Sequence, residues 1–491
     1  MSTISPSDIP AEVSHVTETL EEAGYEAYLI GGCVRDLLLG KEPKDWDVTT
    51  NAHPEQIQAL FEETYYNNNF GTVGVVSPET EDPTLKVVEV TPYRTEHGYS
   101  DSRRPDRVEF SNDIKDDLSR RDFTVNAIAF SISKGHIEDP FQGQRDILAK
   151  RLVSVGDPNE RFSEDALRML RAIRLSVELG FTISHETYSA IAENKSKLTR
   201  ISMERIRDEF IRMIMSPDPQ QALFHMKQLG MLQYMVPELE RSIDVGQNRS
   251  HIYTVFEHLI RSLQHAADSG FSLEVRLAAL FHDISKPETK RVSHETGEIT
   301  FYGHEVVGAR VTKKALERLK FPKDAIEKVV TLVRWHMFFS DPDKISLSAV
   351  RRMIANVGED NIWDLINVRI CDRIGSGKPK ERPLRLRKYT AMIEEALRDP
   401  ISVGMLKING DILISELHMK PGPKIGNILH ALLDEVLEDP SKNTQEYLRK
   451  RSKELDVLPE DELRALGEKG KQSKDEADEE ELKQIRKKHF A

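Results

Sequence analysis

The stretch from Tyr28 to Asp47 holds residues whose types and spacing could support phosphate chemistry. Asp45 and Asp47 are two positions apart, so in an extended segment both carboxylates lie on one face while Trp46 points the other way, into the core. Carboxylates are the hard oxygen ligands that Mg²⁺ prefers, and Mg²⁺ bound in this way usually contacts substrate phosphates as well. The pair alone is weak evidence, because most such pairs are surface acids.

A glycine pair precedes these acids. Gly31-Gly32 separates a short apolar run from VRDLLLG, whose apolar spacing predicts a helix that ends at Gly40. Glycines at this point let backbone N–H groups approach a phosphate, and the helix N-terminus adds partial positive charge. Arg35 lies one turn into the helix and is expected to face the same anion. The pattern therefore predicts that Gly32 and Arg35 contact the phosphates of a nucleotide.

Taken together, GGCVRD and DWD resemble the nucleotidyltransferase superfamily, in particular tRNA CCA-adding enzymes and bacterial poly(A) polymerases. The resemblance implies two Mg²⁺ ions at Asp45 and Asp47, and attack of an RNA 3′-hydroxyl on an α-phosphate. It also implies a third carboxylate. Glu89 is the candidate, since a charge within the apolar segment LKVVEVTPY is costly unless it is paired or metal-bound. The alternative for Glu89 is an edge-strand acid that faces water.

Two further segments resemble motifs of the same family. DDLSRRDFTVNAIAF is similar to the RRDFTxNA motif, which implies that Arg121 contacts the nucleotide. Asp122 and Asn126 could equally well cap the following helix. RTEHGYSDSRRPDRVEF resembles the flexible loop of full CCA-adding enzymes. The matching residues in that loop are Asp101, Arg103, Arg104 and Pro105.

The segment EDALRMLRAIR is the second informative stretch. Asp165, Arg168, Arg171 and Arg174 recur at three-residue steps, which predicts one shared helix face. A carboxylate accepts hydrogen bonds and a guanidinium donates them, so Asp165 and Arg168 complement the Watson–Crick edge of cytosine or adenine. Uracil and guanine would leave polar groups unpaired, at about 1–3 kcal/mol per group. The segment resembles the family's nucleotide-selecting element, which implies that role. Arg171 and Arg174 are then expected to reach triphosphate or RNA phosphate. A salt bridge on a basic helix is the alternative.

A second set of residues with chemical potential lies between positions 251 and 375, where histidines cluster. An isolated histidine, an adjacent His-Asp pair and a distant aspartate resemble the HD phosphohydrolase superfamily, in which four such residues hold a metal. Two more histidines between them suggest a second ion. The four residues are His258, His282, Asp283 and Asp372, and the two additional histidines are His304 and His336. Imidazole with carboxylate suits a divalent transition metal without selecting which one. The resemblance implies phosphoester hydrolysis, unless the domain only holds RNA.

Length and motif order predict several domains. A chain of 491 residues can bury three or four cores. The expected class is α+β, with a small α/β nucleotidyltransferase head followed by a mostly α-helical neck, an HD domain and a body. The expected boundaries are 1–24 for an N-terminal helix, 25–155 for the head, 156–240 for the neck, 241–377 for the HD domain, 378–466 for an RNA-contacting body and 467–491 for a charged tail. The tail is expected to be a solvated helix or disordered.

Composition is consistent with a cytoplasmic RNA enzyme. The net charge of −13 would argue against a nucleic-acid partner, but basic residues are concentrated locally, which is enough for a basic track. Cys33 and Cys371 are the two cysteines, which fits a reducing compartment. The sequence shows no signal-peptide pattern and no apolar run long enough to span a bilayer, so no membrane partner is expected. The oligomeric state stays open.

These resemblances imply a tRNA nucleotidyltransferase that adds CCA to the 3′ end of tRNA from CTP and ATP. The sequence leaves three alternatives open. A poly(A) polymerase shares the head motifs, and a partial enzyme would add only the cytidines or only the adenosine. From a different class, the chain could be an HD phosphohydrolase with a non-catalytic, RNA-binding head.

Overall fold

The computed structural model describes residues 4–66, 71–98, 107–247, 252–294, 297–338, 345–398 and 402–490. The chain forms two compact units, which are Met1–His336 with Asn367–Pro379, and Met337–Ile366 with Lys380–Ala491. A mixed sheet forms first and helices follow, which confirms the α+β prediction. All the candidate site residues described below belong to the first unit.

The head alternates short strands and helices, as its β-branched runs and amphipathic segments predict. Its elements are α1 (Ala11–Glu22), β1 (Ala27–Ile30), α2 (Gly32–Leu38), β2 (Asp47–Thr50), α3 (Pro54–Leu60), β3 (Thr64–Tyr66), β4 (Val73–Val76), β5 (Val87–Pro92), β6 (Arg94–His97), β7 (Arg107–Phe110), α4 (Ile114–Ser119), β8 (Ala129–Ser131), β9 (His136–Glu138), α5 (Gly143–Leu148) and β10 (Arg151–Leu152).

Seven of these strands form one sheet in the order β3-β4-β5-β2-β1-β8-β9. β2 and β5 are parallel, and the other neighbours in this sheet are antiparallel. β5 lies between β4 and β2, so the interpretation of Glu89 as an edge-strand acid is wrong. Along β5 the side chains alternate, and Val88 and Val90 are fully buried on the face opposite to Glu89. The sheet therefore presents Glu89 beside β2.

The glycine pair forms the predicted strand–turn–helix corner. β1 ends at Ile30, Gly31 adopts a φ of +82°, and α2 begins at Gly32. This positive φ favours glycine, because a Cβ would be strained there. A Cβ at Gly31 would also lie 2.5 Å from Nη1 of Arg121. The corner is therefore restricted to glycine by backbone conformation and by a neighbouring guanidinium.

The neck is helical apart from one short strand that pairs in parallel with β10. Its elements are α6 (Pro158–Glu164), α7 (Leu167–Leu179), β11 (Thr182–Ile183), α8 (His185–Asn194), α9 (Met203–Met215), α10 (Pro219–Leu229), α11 (Leu232–Met235) and α12 (Pro237–Glu240).

Asp165 falls between α6 and α7 with an extended backbone, so the prediction that it shares a helix face with Arg168 is wrong. Its carboxylate accepts a hydrogen bond of 3.0 Å from the backbone N–H of Leu167. Aspartate favours such positions because it satisfies an N–H group that lacks a partner in the first helical turn. Asp165 therefore stabilises the start of α7 and is not part of the helix.

Helices also dominate the rest of the chain. In chain order these elements are α13 (Val255–Asp268), α14 (Leu273–Phe281), α15 (Lys286–Thr289), β12 (Arg291–Val292), β13 (Ile299–Thr300), α16 (His304–Arg318), α17 (Lys323–Trp335), α18 (Leu347–Val357), α19 (Ile362–Gly375), α20 (Leu384–Leu397), α21 (Gly410–Ser415), α22 (Pro423–Glu438), α23 (Gln445–Asp456) and α24 (Glu460–Phe490). Among the described residues, none of the helices is both long and apolar enough to cross a lipid bilayer.

The final helix crosses the boundary that was expected at residue 467. Of the two possibilities for the tail, helix or disorder, the helix is right for the residues that the structure describes. Gly467 and Gly470 let α24 approach α22 closely, since a Cβ at either position would collide with Asn427 or with the backbone of His430. Small residues at a helix contact have this effect because the two backbones can then come together.

Candidate active site and metal centre

Three acids gather where β2 begins. Asp47 is the first residue of β2 and pairs in parallel register with Glu89 of β5. Register partners on adjacent strands point to the same face of a sheet. Asp45 lies in the bend before β2 and is exposed, whereas Trp46 between the two acids is only 4% exposed. The predicted burial of Trp46 is confirmed, although the strand starts only at Asp47.

The electrostatics of Asp47 suit a divalent cation. Burial raises the pKa of Asp47, and the charges of Glu89 and Asp45 raise it further against the lowering effect of Arg121, so that it reaches about 6. A carboxylate that is destabilised by its neighbours gains from a bound cation. The three acids are more open than the histidine cluster below, because among the described residues only that cluster has ligand atoms that all lie within 4.8 Å of one another.

Arg35 lies beside the glycine corner, as predicted. Its Nη2 lies 3.7 Å from the position that a Cβ of Gly32 would occupy. The guanidinium is oriented by Asp36, with Nε–Oδ1 at 2.9 Å, and by Asn126, whose Oδ1 accepts from Nη1 at 2.6 Å. Asn126 therefore orients Arg35. It does not start a helix, as the sequence had suggested, because it is the last residue of the short 3₁₀ helix Thr124–Asn126, whose N-cap is Phe123.

Of the two neighbouring arginines, Arg121 lies closer to the acids. Its guanidinium packs against Gly31 and lowers the pKa of Asp47. Both arginines pair with Asp117, Arg120 at 2.5 Å and Arg121 at 3.5 Å, but Arg120 is held further by Glu96 at 3.2 Å. These contacts favour Arg121 as the nucleotide-facing residue. The loop residues Asp101, Arg103, Arg104 and Pro105 lie outside the described residues.

Asp122 joins the glycine corner to the neck. It accepts hydrogen bonds from Nδ2 of Asn126 at 3.0 Å and from the backbone of Phe123 at 2.9 Å. Arg171 of α7 binds its other oxygen through Nε at 2.7 Å and Nη2 at 2.6 Å. Burial would raise the pKa of Asp122, but Arg171 and Asn126 hold it well below its usual range. A continuous polar chain therefore runs from Arg35 to α7.

Asp165 and Arg168 are each oriented by another residue and not by each other. Arg205 of α9 donates to both carboxylate oxygens of Asp165, at 3.2 and 2.7 Å. Arg168 donates to Glu164 at 2.6 Å and to the backbone oxygen of Arg120 at 2.8 Å. Glu164 could have been found from its i,i+4 spacing. Arg205 lies 40 positions away from its partner, and nothing in the sequence indicates the pairing.

Arg174 is buried inside the neck and forms ion pairs there. It is 6% exposed, and it pairs with Glu209 of α9 at 2.7 Å and with Glu178 at 2.6 Å. Arg171 is also bound within the protein, through Asp122. These contacts favour roles in holding α7 against α9 and against the head over the phosphate contacts that the sequence suggested.

The histidine cluster is assembled from the ends and middles of five helices. All six ligand candidates are buried. They are His258 in α13, His282 and Asp283 directly after α14, His304 at the start of α16, His336 directly after α17, and Asp372 in α19.

Asp283 joins two groups of candidate ligands. In the first group, Nε2 of His258 and Nε2 of His282 are 2.9 Å apart, and they lie 3.2 and 3.3 Å from Oδ2 of Asp283. Asp372 completes this group, with Oδ1 at 3.4 Å from His258.

The second group uses the other oxygen of Asp283. Its Oδ1 lies 3.1 Å from Nε2 of His304 and 3.7 Å from Nε2 of His336. Both groups satisfy the distance expected of a common ion, with all ligand atoms within 4.8 Å. The structure therefore brings together all six residues singled out in the sequence.

Three of the histidines are held in one tautomer. Nδ1 of His282, His304 and His336 lies 2.7–2.8 Å from a backbone carbonyl three residues earlier, where it can only donate. In the neutral imidazole each Nε2 lone pair then points into the cluster, as in histidines that bind metals. Burial lowers the pKa of His282, but without an ion Asp283 and Asp372 raise it to about 10, so this ring must release a proton before its Nε2 can bind a metal. The donor set of imidazole and carboxylate fits a divalent transition metal.

Two cations beside the cluster were not found from the sequence. Nζ of Lys286 lies 2.6 Å from Oδ2 of Asp283, and Nη1 of Arg369 lies 2.5 Å from Oδ2 of Asp372. Arg369 and Asp372 are three residues apart within α19, a spacing that predicts contact, whereas Asp283 lies in the turn between α14 and α15 and Lys286 is the first residue of α15.

Three family models match consecutive parts of the chain. Residues 27–153 match the Poly A polymerase head domain, and residues 180–243 match the probable RNA and SrmB-binding site of polymerase A. Residues 255–374 match the HD domain. The head acids and glycine corner fall in the first match, and all six residues of the histidine cluster fall in the third.

Two relatives match this chain over most of their own length. The CCA-adding enzyme of Lactobacillus helveticus (strain DPC 4571) is 30% identical over 452 residues, which cover 91% of this chain and 98% of the relative. That of Ligilactobacillus salivarius (strain UCC118) is 30% identical over 90% of this chain and 95% of its own length. Among solved structures, the Bacillus stearothermophilus CCA-adding enzyme in complex with CTP has a TM-score of 0.58 at 26% identity, covering 91% of this chain and 98% of that chain.

Proposed function

Because this chain belongs to the family of CCA-adding enzymes, we propose that it adds CCA to the 3′ end of tRNA, using CTP and ATP as substrates. The observation that carries the proposal is the parallel register of Asp47 with Glu89, beside Asp45 and next to the glycine corner. An enzyme that completes tRNA is expected in the cytoplasm. The two family models with polymerase names cover the head and part of the neck, which supports the domain order proposed from the sequence.

We assign the carboxylates of Asp45, Asp47 and Glu89 to Mg²⁺, because the three acids supply hard oxygen ligands and Asp47 gains from a cation. When bound there, the ions would stabilise the charge of the triphosphate and favour ionisation of the attacking hydroxyl. The tRNA 3′-oxygen loses its proton and bonds to the α-phosphorus, and the bond to pyrophosphate breaks. Gly32, Arg35 and Arg121 are proposed to contact the phosphates from the corner.

Nucleotide choice is assigned to Asp165 and Arg168. The amino group of cytosine or adenine would donate to Asp165, and the adjacent ring nitrogen would accept from Arg168. Arg205 and Glu164 fix the two side chains before a nucleotide arrives, which lowers the cost of ordering them on binding. Arg171 acts through Asp122 and Asn126 on Arg35, so it is a positioning residue in this proposal.

Extension of a tRNA that lacks its 3′ CCA tests this function. With the wild-type protein we expect two added nucleotides from CTP alone and three from CTP with ATP, resolved on a sequencing gel. A long adenosine tract from ATP alone would instead identify a poly(A) polymerase, and arrest after the cytidines a partial enzyme. No added nucleotide under any condition would refute the proposed function.

The histidine cluster favours a second activity, hydrolysis of phosphoesters at RNA or nucleotide ends. Six buried candidate ligands on five helices, three with a fixed tautomer, support a site for a divalent transition metal. When bound there, such an ion would activate water and polarise a phosphate. Release of phosphate from 3′-phosphorylated ends, and opening of 2′,3′-cyclic ends to a monoester, should survive Asp45→Ala and disappear in Asp283→Ala. Loss in both variants, or in neither, would argue against this second site.

A further inference from the structure

Two protein cations flank the histidine cluster. Lys286 is buried, and its Nζ lies 2.6 Å from Asp283, while Arg369 lies 2.5 Å from Asp372. Asp283 and Asp372 are the two carboxylates among the six candidate ligands, so each of them already has a cationic partner. Lys286 is fixed further by Oε1 of Gln247 at 2.7 Å.

The two cations neutralise the carboxylates of the cluster. With neutral histidine ligands, the two aspartates carry two negative charges, and Lys286 and Arg369 cancel both. Glu305 and Arg334 beside His304 are 3.9 Å apart and also cancel each other. Counting these described groups, two divalent ions would leave about four positive charges uncompensated next to buried ligands, where electrostatic interactions are screened least. A phosphate dianion would cancel two of these charges, but a diester monoanion only one.

We propose that this site prefers terminal phosphate monoesters over phosphodiesters, and that Lys286 and Arg369 set this preference by receiving the extra negative charge of the dianion. The inference rests on the phosphohydrolase activity proposed above and names its substrate class. A cation that remains next to a metal-bound carboxylate gains a partner when a phosphate oxygen binds beside it. A diester carries only one negative charge on its unesterified oxygens, whereas a monoester dianion carries two.

The reaction balances without an additional reactant. An oxygen of water bonds to phosphorus, the bond between phosphorus and the ester oxygen breaks, and that oxygen takes up a proton. The products are an alcohol, which is a free hydroxyl on the nucleotide or RNA end, and orthophosphate. Orthophosphate has the same charge as the proposed substrate group, so it should also bind as a product.

The test uses the full chain loaded with Mn²⁺, with p-nitrophenyl phosphate as the monoester, bis-(p-nitrophenyl) phosphate as the diester and inorganic phosphate as a binding probe. For the wild type we expect a kcat/KM at least tenfold higher for the monoester, and calorimetric binding of phosphate. Lys286→Met and Arg369→Gln should each raise KM for the monoester and weaken phosphate binding about tenfold. Diester hydrolysis should change less than threefold, and the Mn²⁺ content measured by mass spectrometry should be unchanged.

Two controls keep the outcomes distinct. CCA addition by each variant reports that the chain is folded, and Arg369, which is partly exposed, provides a second variant if Lys286→Met is unstable. Equal loss for both esters, or phosphate binding that is unchanged in both variants, would overturn the substrate preference while leaving hydrolysis intact. Absence of Mn²⁺ binding and of hydrolysis of either ester in the wild type would instead remove the phosphohydrolase itself.

Discussion

Replacing Arg205 by Met should relax nucleotide choice without changing any residue that is proposed to touch the base. Arg205 donates to both oxygens of Asp165, and the two side chains are 23% and 16% exposed. Without this pair Asp165 keeps its charge and its hydrogen bond to the backbone N–H of Leu167, but its orientation is no longer fixed. The amino group of cytosine or adenine would then meet an acceptor in several orientations.

The contacts give the size of the effect. A hydrogen bond between charged groups contributes about 1.5–3 kcal/mol, and partial exposure favours the lower end of this range. About 1.5 kcal/mol corresponds to roughly a tenfold loss of kcat/KM for CTP and ATP. UTP and GTP gain nothing from the orientation of Asp165 and should lose much less, so the selectivity ratio should fall about tenfold.

The assay is single-nucleotide extension of tRNA ending at each step, with kcat/KM measured for all four nucleotides. Arg212→Gln is the matched control, because Arg212 lies on the same helix and is exposed. Arg205→Lys keeps the charge but not the two-pronged contact, and it should give an intermediate loss. Equal losses for all four nucleotides would refute this reasoning and leave Arg205 as a structural residue of the neck.

Three further predictions concern the corner, the acids and the histidine cluster. Gly31→Ala should displace Arg121 and strain the backbone at a φ of +82°. We therefore expect the KM for CTP to rise at least tenfold in steady-state extension. An unchanged KM would contradict the close approach of Arg121 to Gly31. The raised pKa of Asp47, about 6, means that a proton competes with Mg²⁺, so Mg²⁺ affinity should increase with pH up to about 6 and then level off. In the metal-free protein the sign is opposite, because a folded-state pKa above the ordinary value of 3.8 makes stability fall as pH rises from about 4 to 6. Mg²⁺ titrations and thermal unfolding across this range check both statements, and flat profiles would contradict them. Asp283→Ala should abolish transition-metal binding and leave CCA addition within twofold, whereas His265→Ala on α13 should retain the metal; elemental analysis decides.

Local motifs could be read from the sequence because their residues are close together along the chain. The glycine corner needs only a strand, two glycines and a helix, and all three lie within a dozen positions. The burial of Trp46 follows from the contrast between its apolar ring and the two acids beside it, although it lies directly before β2 and not within the strand. The histidine cluster was recognisable although its members are far apart, because few other roles require that set of residue types.

The contacts that orient the site could not be predicted in the same way. Arg205 and Asp165 meet only because α9 packs beside the break between α6 and α7, and three-residue spacing says nothing about packing between helices. The shared-face prediction failed for a local reason, since Asp165 satisfies a backbone N–H at a helix start and so ends the regular spacing. From the sequence Arg171 was expected to contact phosphate, but in the structure it pairs with Asp122. Sequence spacing identifies reactive residue types more readily than the partners that restrain them.

The central claim is that the head acids bind the metal ions that drive nucleotide addition. Metal rescue of Asp47→Cys tests it most directly, because a thiolate binds Mg²⁺ poorly but accepts softer ions such as Mn²⁺ or Cd²⁺. In extension of truncated tRNA, we predict that the variant is inactive with Mg²⁺ and regains addition with the softer ions, while the wild type is active with Mg²⁺. Extension by Asp47→Cys at the wild-type rate with Mg²⁺ would contradict the account.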